Sequence, residues 1–358
     1  MPRSLFNPRP HFRLVCLLLS LVSGGSFFHP FSVYGYEVDS FTRRDRVPDL
    51  DSLPLLDERV QGALREATKR MNLELQQKAL KCIPGDALLQ GRLEDILAEL
   101  LVGSSPVTTR FEKEFMALPE GRYAISTRPV DSIYNHPKYQ MIVISGMIVP
   151  ELLVGGIRTG TDKLGHFVQL GYRLHKRSRL SSRSRRPLKR CEDLARVTSE
   201  SGYYGCGSGG FVFSYADMIA NVAGLRFWQK VVSLPAESYI SCAEDGLYRV
   251  QEPSALHFTF ADYVSPLWDE AVNCSMDCPI GRGFESSQAV TVTSRVKRYS
   301  CPWPKAEFEW QGQKMSATQF CSDFARSFRE NRSPFPVGFE GATDCVQEVV
   351  SPACLAIQ

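Results

Sequence analysis

The chain has 358 residues and a formal net charge of +3. That excess is carried by residues 1–35, which hold three arginines and no acid, leaving 39 basic against 39 acidic side chains. Such a balance, with no stacking aromatic pattern beside the one basic run, argues against nucleic acid as a partner; about 320 residues suffice for two compact units or one larger one.

Residues 1–35 read as a signal peptide. Arg3, Arg9 and Arg13 precede an apolar run, 14–22, that is too short to span a bilayer. Val33-Tyr-Gly35 offers a cleavage site, so the mature chain is expected to begin near Tyr36. Cys16 follows Val15 rather than a small residue, which argues against lipoprotein processing. The competing reading is an uncleaved N-terminal anchor. Ten cysteines follow the leader, at 82, 191, 206, 242, 274, 278, 301, 321, 345 and 354, seven of them after residue 240. In an exported chain, periplasmic or envelope-associated, an even number predicts up to five disulfides. A zinc site from Cys274, Cys278, Cys301 and Cys321 is the weaker alternative.

Four segments are expected: the leader 1–35, a helical region 36–135, a central helical core 136–235 and a cysteine-rich α+β region 236–358. The fold class is mainly α, with a disulfide-rich α+β C-terminal region. Between Leu56 and Cys82 the apolar residues Leu56, Val60, Ala63, Leu64, Ala67, Met71 and Leu75 form a helical stripe. A second helix is predicted over Leu93–Leu101, and no chemistry is assigned to residues 36–135. The stretch 141–157 is the most apolar after the leader. Pro150 and three glycines interrupt it, so it reads as buried core rather than a membrane span. Glu151 within it either joins a polar site or starts a helix after Pro150.

Two related patterns follow. Thr159-x-x-Asp162-x-x-x-His166 is predicted to open one helix, capped by Thr159 or Thr161. Ser214-x-x-Asp217-x-x-x-Asn221 opens a second, running through Trp228. Groups four apart share a helix face, and the apolar surroundings point them inward, where polar groups must be paired or used. With Glu200 between them in sequence, Asp162, His166, Asp217 and Asn221 make a candidate site. Asp162, His166, Glu200 and Asp217 suit a divalent metal such as zinc or manganese; alternatively, a carboxylate orients His166 as a general base. Against this stands a purely structural reading. Thr159-x-x-Asp162, Ser214-x-x-Asp217 and Thr259-x-x-Asp262 all match the helix capping box.

Arg173 to Arg190 carries nine basic residues and no acid, which suits an anionic membrane surface or, equally, a solvated connector. Towards the C-terminus, 288–296 alternates like a strand. Residues 306–310, a Gln-Gly-Gln turn and a helix from Ser316 bearing Phe320, Phe324 and Phe328 complete an α+β unit.

Asp162-Lys-Leu-Gly-His166-Phe, Glu200, and Asp217-x-x-Ala-Asn221-x-x-Gly224 together resemble the pattern of VanZ-like membrane proteins and YfiM-like envelope lipoproteins, over about 65 residues. The resemblance implies a helical hairpin core with converging polar groups, in an envelope protein of poorly defined activity. The chain departs from it in lacking several strong membrane spans and in its long flanks and cysteines. Glu200-Ser-Gly also resembles the start of the lytic transglycosylase acid motif, but the Gly-Leu-Met-Gln segment is absent. Two functions stand open: a non-catalytic envelope protein with a structural or binding constellation, and an envelope hydrolase acting on a lipid-linked or cell-wall substrate.

Overall fold

The computed structural model describes residues 36–105, 108–135, 148–176, 212–232, 238–251 and 257–271, with short pieces at 276–277, 307–310, 313–316 and 319. The leader, Glu200, most of the basic run, the 288–296 strand, the Phe320 helix and eight of the ten later cysteines lie outside the described residues. Helix outweighs strand, so the described part of the chain is mainly α.

The apolar stripe forms α1, Leu53–Gln77, started by Pro54 in its first turn, and every stripe residue is buried. It packs on α2, Ala87–Leu101, which begins earlier than the apolar period indicates. Asp86 caps it by accepting from the amides of Leu88 and Leu89. A short helix, α3 (Arg110–Met116), carries a true capping box in which Thr109 and Glu112 satisfy each other's amides.

The apolar stretch resolves into strands, where it is described. β1 (Glu37–Val38) pairs in parallel with β3 (Ile148–Val149). β2 (Ala124–Ile125), β4 (Glu151–Val154) and β5 (Ile157–Gly160) form an antiparallel sheet. Gly155 and Gly156, both at positive φ, make the two-residue hairpin between β4 and β5, and both amides donate to Asp51. Glu151 therefore starts a strand, not a helix.

β5 runs straight into α4, Thr161–Gly165, which widens into a π-helical turn, His166–Leu170, and continues helically through 176. The basic run thus begins in helix, not loop, and Lys176 bonds Asp95 of α2. After β6 (Val212–Phe213) comes α5, Tyr215–Val232. The hairpin β7 (Ile240–Cys242) and β8 (Tyr248–Val250) follows, then 3-10 turns at Phe260–Asp262 and Pro266–Trp268. β6 pairs with β9 (Met276–Asp277). β10 (Glu307–Trp310) and β11 (Gln313–Ser316) form a hairpin, so a second strand stands where the helix from Ser316 was expected to follow the turn directly.

The core lies where α1, α2, α4 and α5 meet. Phe167 is at its aromatic centre, with ring centroids 4.8 Å from Phe260, 5.2 Å from Phe227 and 5.3 Å from Tyr263. α4 and α5 touch backbone to backbone. A methyl group on Gly171 would fall 2.6 Å from the Gly224 Cα, and one on Gly224 would overlap the Phe167 carbonyl. The Trp228 indole locks the crossing by donating to the Val168 carbonyl at 2.9 Å. Among the described residues no helix is long and apolar enough to cross a membrane.

Candidate functional site

One wall of the site is built by close approach at Gly160. This residue is the N-cap of α4 and supplies no side chain, and a Cβ there would sit 2.5 Å from the Val38 Cβ and overlap Asp162. Its absence brings β1 against the first turn of α4 and carries Glu37 to the site. Neither Thr159 nor Thr161 caps this helix, so the expected box is not formed.

Lys163 is the centre, fully buried at 0% exposure. Its ammonium lies 2.5 Å from Asp162 Oδ2, 2.6 Å from Asp217 Oδ1 and 2.6 Å from Glu270 Oε1. The ammonium donates hydrogen bonds to Asp162 Oδ2 and Glu270 Oε1 and forms an ion pair with Asp217. Burial alone would lower the lysine's pKa, but the summed attraction of Asp162, Asp217, Glu270 and Glu37 outweighs it and holds the group well above the ordinary range. Ser214 opens α5 and does two jobs. Its hydroxyl accepts from the Asp217 amide at 3.2 Å and donates to Glu270 Oε1 at 2.7 Å. Tyr134 donates to Glu270 Oε2 at 3.5 Å.

His166 sits one turn further along, on the π-helical turn, a distortion that often marks functional positions. Its Nδ1 is 3.0 Å from Asn221 Oδ1 and its Nε2 is 3.2 Å from Asp217 Oδ2. The amide oxygen, as placed, only accepts, so Nδ1 carries hydrogen. The Nε2–Asp217 contact then needs one shared proton, on the imidazole or on the acid.

The carboxyl groups outnumber their cations, and their proton affinities reflect it. Burial pushes Asp162 up to about 6, with Asp217 and Glu270 adding to the rise and Lys163 opposing it. Glu270 is raised by burial first and Asp217 second among the raising influences, against Lys163. Glu37 is raised well above the carboxylate range by burial, then by Glu270 and Asp217. Glu112, whose Oε2 would lie 2.5 Å from a methyl on Gly165, is likewise raised well above it by burial and by Asp162.

The structure thus brings Asp162, His166, Asp217 and Asn221 together across the α4–α5 crossing. Glu200 lies outside the described residues. Of the four candidate metal ligands, His166 has both nitrogens engaged by Asn221 and Asp217. Among the described candidates, Asp162 joins a convergent group of acids: Glu37, Asp162 and Glu270 each offer an oxygen within 4.8 Å of the others. Asp162 and Asp217 face Lys163 rather than folding back as caps. Thr259 does act as a simple cap, accepting from the Ala261 amide.

Sequence reasoning missed Lys163, Glu37, Glu270 and Tyr134, and residues 36–135 do contribute chemistry. Lys163 stood inside the quoted motif, and its place in an apolar helix was the available signal. Glu270, directly behind the buried Pro266–Trp268 turn, gave a weaker one. Glu151 belongs to an adjoining ionic group, 2.5 Å from Arg158 and within 4.0 Å of Arg44, which also binds Asp269 at 2.6 Å.

Comparison of the chain with family models, with curated proteins and with solved structures finds no match, so the reading of this site rests on its own residues.

Proposed function

We propose that this is an exported, envelope-associated protein whose buried constellation binds and locks rather than reacts. The observation that carries this is the Lys163 ammonium shared among three carboxylates from α4, α5 and the segment after Trp268. A buried lysine paired with three carboxylates and with its pKa raised is neither nucleophile nor base; it is a cross-link between elements. The motif residues carrying the VanZ-like and YfiM-like resemblance, apart from Glu200, meet at this point, which supports the same reading. The Cys82–Cys242 disulfide supports an oxidising destination, and a disulfide-rich C-terminal α+β region is proposed with it.

The test is Lys163→Met in equilibrium urea unfolding. Removing one partner of a buried ionic group strands the others, and a loss of about 3–5 kcal/mol is expected. A change under about 1 kcal/mol would show that the ammonium locks nothing.

One arrangement favours a second reading, an acid–base hydrolase acting on a lipid-linked or cell-wall substrate. The shared proton between His166 and Asp217, with Asn221 fixing the ring, is the geometry of an oriented base. There, His166→Ala abolishes turnover with little loss of stability; in the lock it costs about 1–3 kcal/mol. The basic run from Arg173 is proposed to face anionic lipid. Replacing the arginines after residue 176 with serine then abolishes salt-sensitive binding to phosphatidylglycerol vesicles, whereas unchanged binding marks a connector.

A further inference from the structure

We propose that Glu37, Asp162 and Glu270 form a binding site for one hard divalent cation of the magnesium, calcium or manganese class. The three carboxylates come from β1, α4 and the segment after Trp268, all buried, and their oxygens converge within 4.8 Å of one another. Oxygens on opposite sides of an ion bound at about 2.3–2.6 Å lie up to about 5 Å apart, so the spacing fits a single ion.

Two oxygens point independently to a ligand. Glu37 Oε2 and Asp162 Oδ1 are buried and have no hydrogen-bond partner, although their residues are only 8% and 3% exposed. A buried polar atom left without a partner costs free energy that a bound cation recovers. Lys163 uses the other Asp162 oxygen, Oδ2, so the ammonium and an ion can share that carboxylate.

The crowding of acids favours a cation: Glu37, Asp162, Asp217 and Glu270 gather around the Lys163 ammonium. The chemistry gives the class. All three donors are carboxylate oxygens, with no thiolate or imidazole in the set, and such donors suit magnesium, calcium or manganese better than zinc. The ion would fasten β1 to the α4 turn at Gly160, deepening the lock. This inference rests on the reading of the constellation as a binding centre.

Terbium, a calcium surrogate excited through nearby tyrosine, reads the site directly because Tyr134 lies against Glu270. Untagged protein purified without chelator is expected to carry about one divalent ion per chain by elemental analysis. Protein refolded in chelator should regain several degrees of Tm with manganese or calcium and show tyrosine-sensitised terbium emission that calcium displaces. Glu37→Gln, an uncharged isostere, should weaken terbium binding by at least about tenfold, and Tyr134→Phe should dim the emission at saturating terbium. Wild-type affinity in Glu37→Gln, or undimmed emission in Tyr134→Phe, places the ion elsewhere and overturns the proposal. No bound ion and no metal-dependent Tm, while Lys163→Met still destabilises, removes the cation and leaves the ionic lock standing.

Discussion

Glu151 shows how a single buried charge sets a pH dependence. Burial and the neighbouring Asp269 push its carboxyl from the ordinary 4.5 up to about 7, against the pull of Arg158 and Arg44. An acid with a higher pKa folded than unfolded favours the fold while protonated. Its contribution is full below the unfolded value and is lost as pH rises through the folded one. Between about pH 5 and pH 8 the wild type should lose about 3 kcal/mol on this account, and Glu151→Gln, which cannot ionise, should lose less by that amount. Urea unfolding of both proteins at the two pH values checks it, and equal losses would refute it. Residues of this kind were only partly legible. Glu151 stood out as a charge in an apolar stretch, but its partners Arg158 and Arg44 depend on strand pairing and chain return. The same holds for Lys163. Its motif was visible, but its role depends on Glu270, which is 107 residues away.

At the scale of elements, the α4–α5 crossing decides whether the site exists. Gly171 and Gly224 allow backbone contact, and that contact brings His166 within hydrogen-bond reach of both Asp217 and Asn221. Gly224→Ala should raise intrinsic helix propensity yet destabilise the protein by about 1–3 kcal/mol, because the added methyl meets the Phe167 carbonyl. Gly62→Ala is the matched control: the glycine lies within α1, no atom lies within 4 Å of the added methyl, and a gain of about 0.4–1 kcal/mol is expected. If both substitutions stabilise, the crossing is looser than described. α1 was readable because helix and core face share one periodicity, whereas α5, buried on nearly every face, was read from its Ser214-x-x-Asp217-x-x-x-Asn221 opening. The 141–157 stretch was not, since apolar runs broken by glycine suit strands and helix ends alike until the Gly155-Gly156 hairpin is seen. The start of α4 was also hidden. Two threonines advertise a cap, whereas packing against Val38 demands the glycine between them.

At the scale of the molecule, the Cys82–Cys242 disulfide joins residues 160 apart in sequence. Ten cysteines announced disulfides without naming partners, because pairing follows spatial proximity and not spacing. The ends are held by other bonds as well. The Cys82 amide donates to the Gly246 carbonyl at 2.8 Å, and Asn72 both donates to the Tyr248 carbonyl and accepts from its amide at 2.8 Å. These contacts keep the end of α1 on the β7–β8 hairpin when the covalent link is cut, so the link acts chiefly on the unfolded chain. For a loop of this length the lost unfolded-state entropy corresponds to about 5 kcal/mol, and measured losses usually fall somewhat lower. The Cys82→Ser, Cys242→Ser double variant, kept non-reducing so that any other disulfides persist, should fold to the same structure and lose about 3–5 kcal/mol in urea unfolding. Its Lys163 lock should remain intact, so adding Lys163→Met should cost the double variant what it costs the wild type, within about 0.5 kcal/mol. Stability equal to wild type in the double variant would mean the link constrains nothing. A strongly non-additive triple variant would mean the covalent and ionic cross-links hold one and the same structural unit.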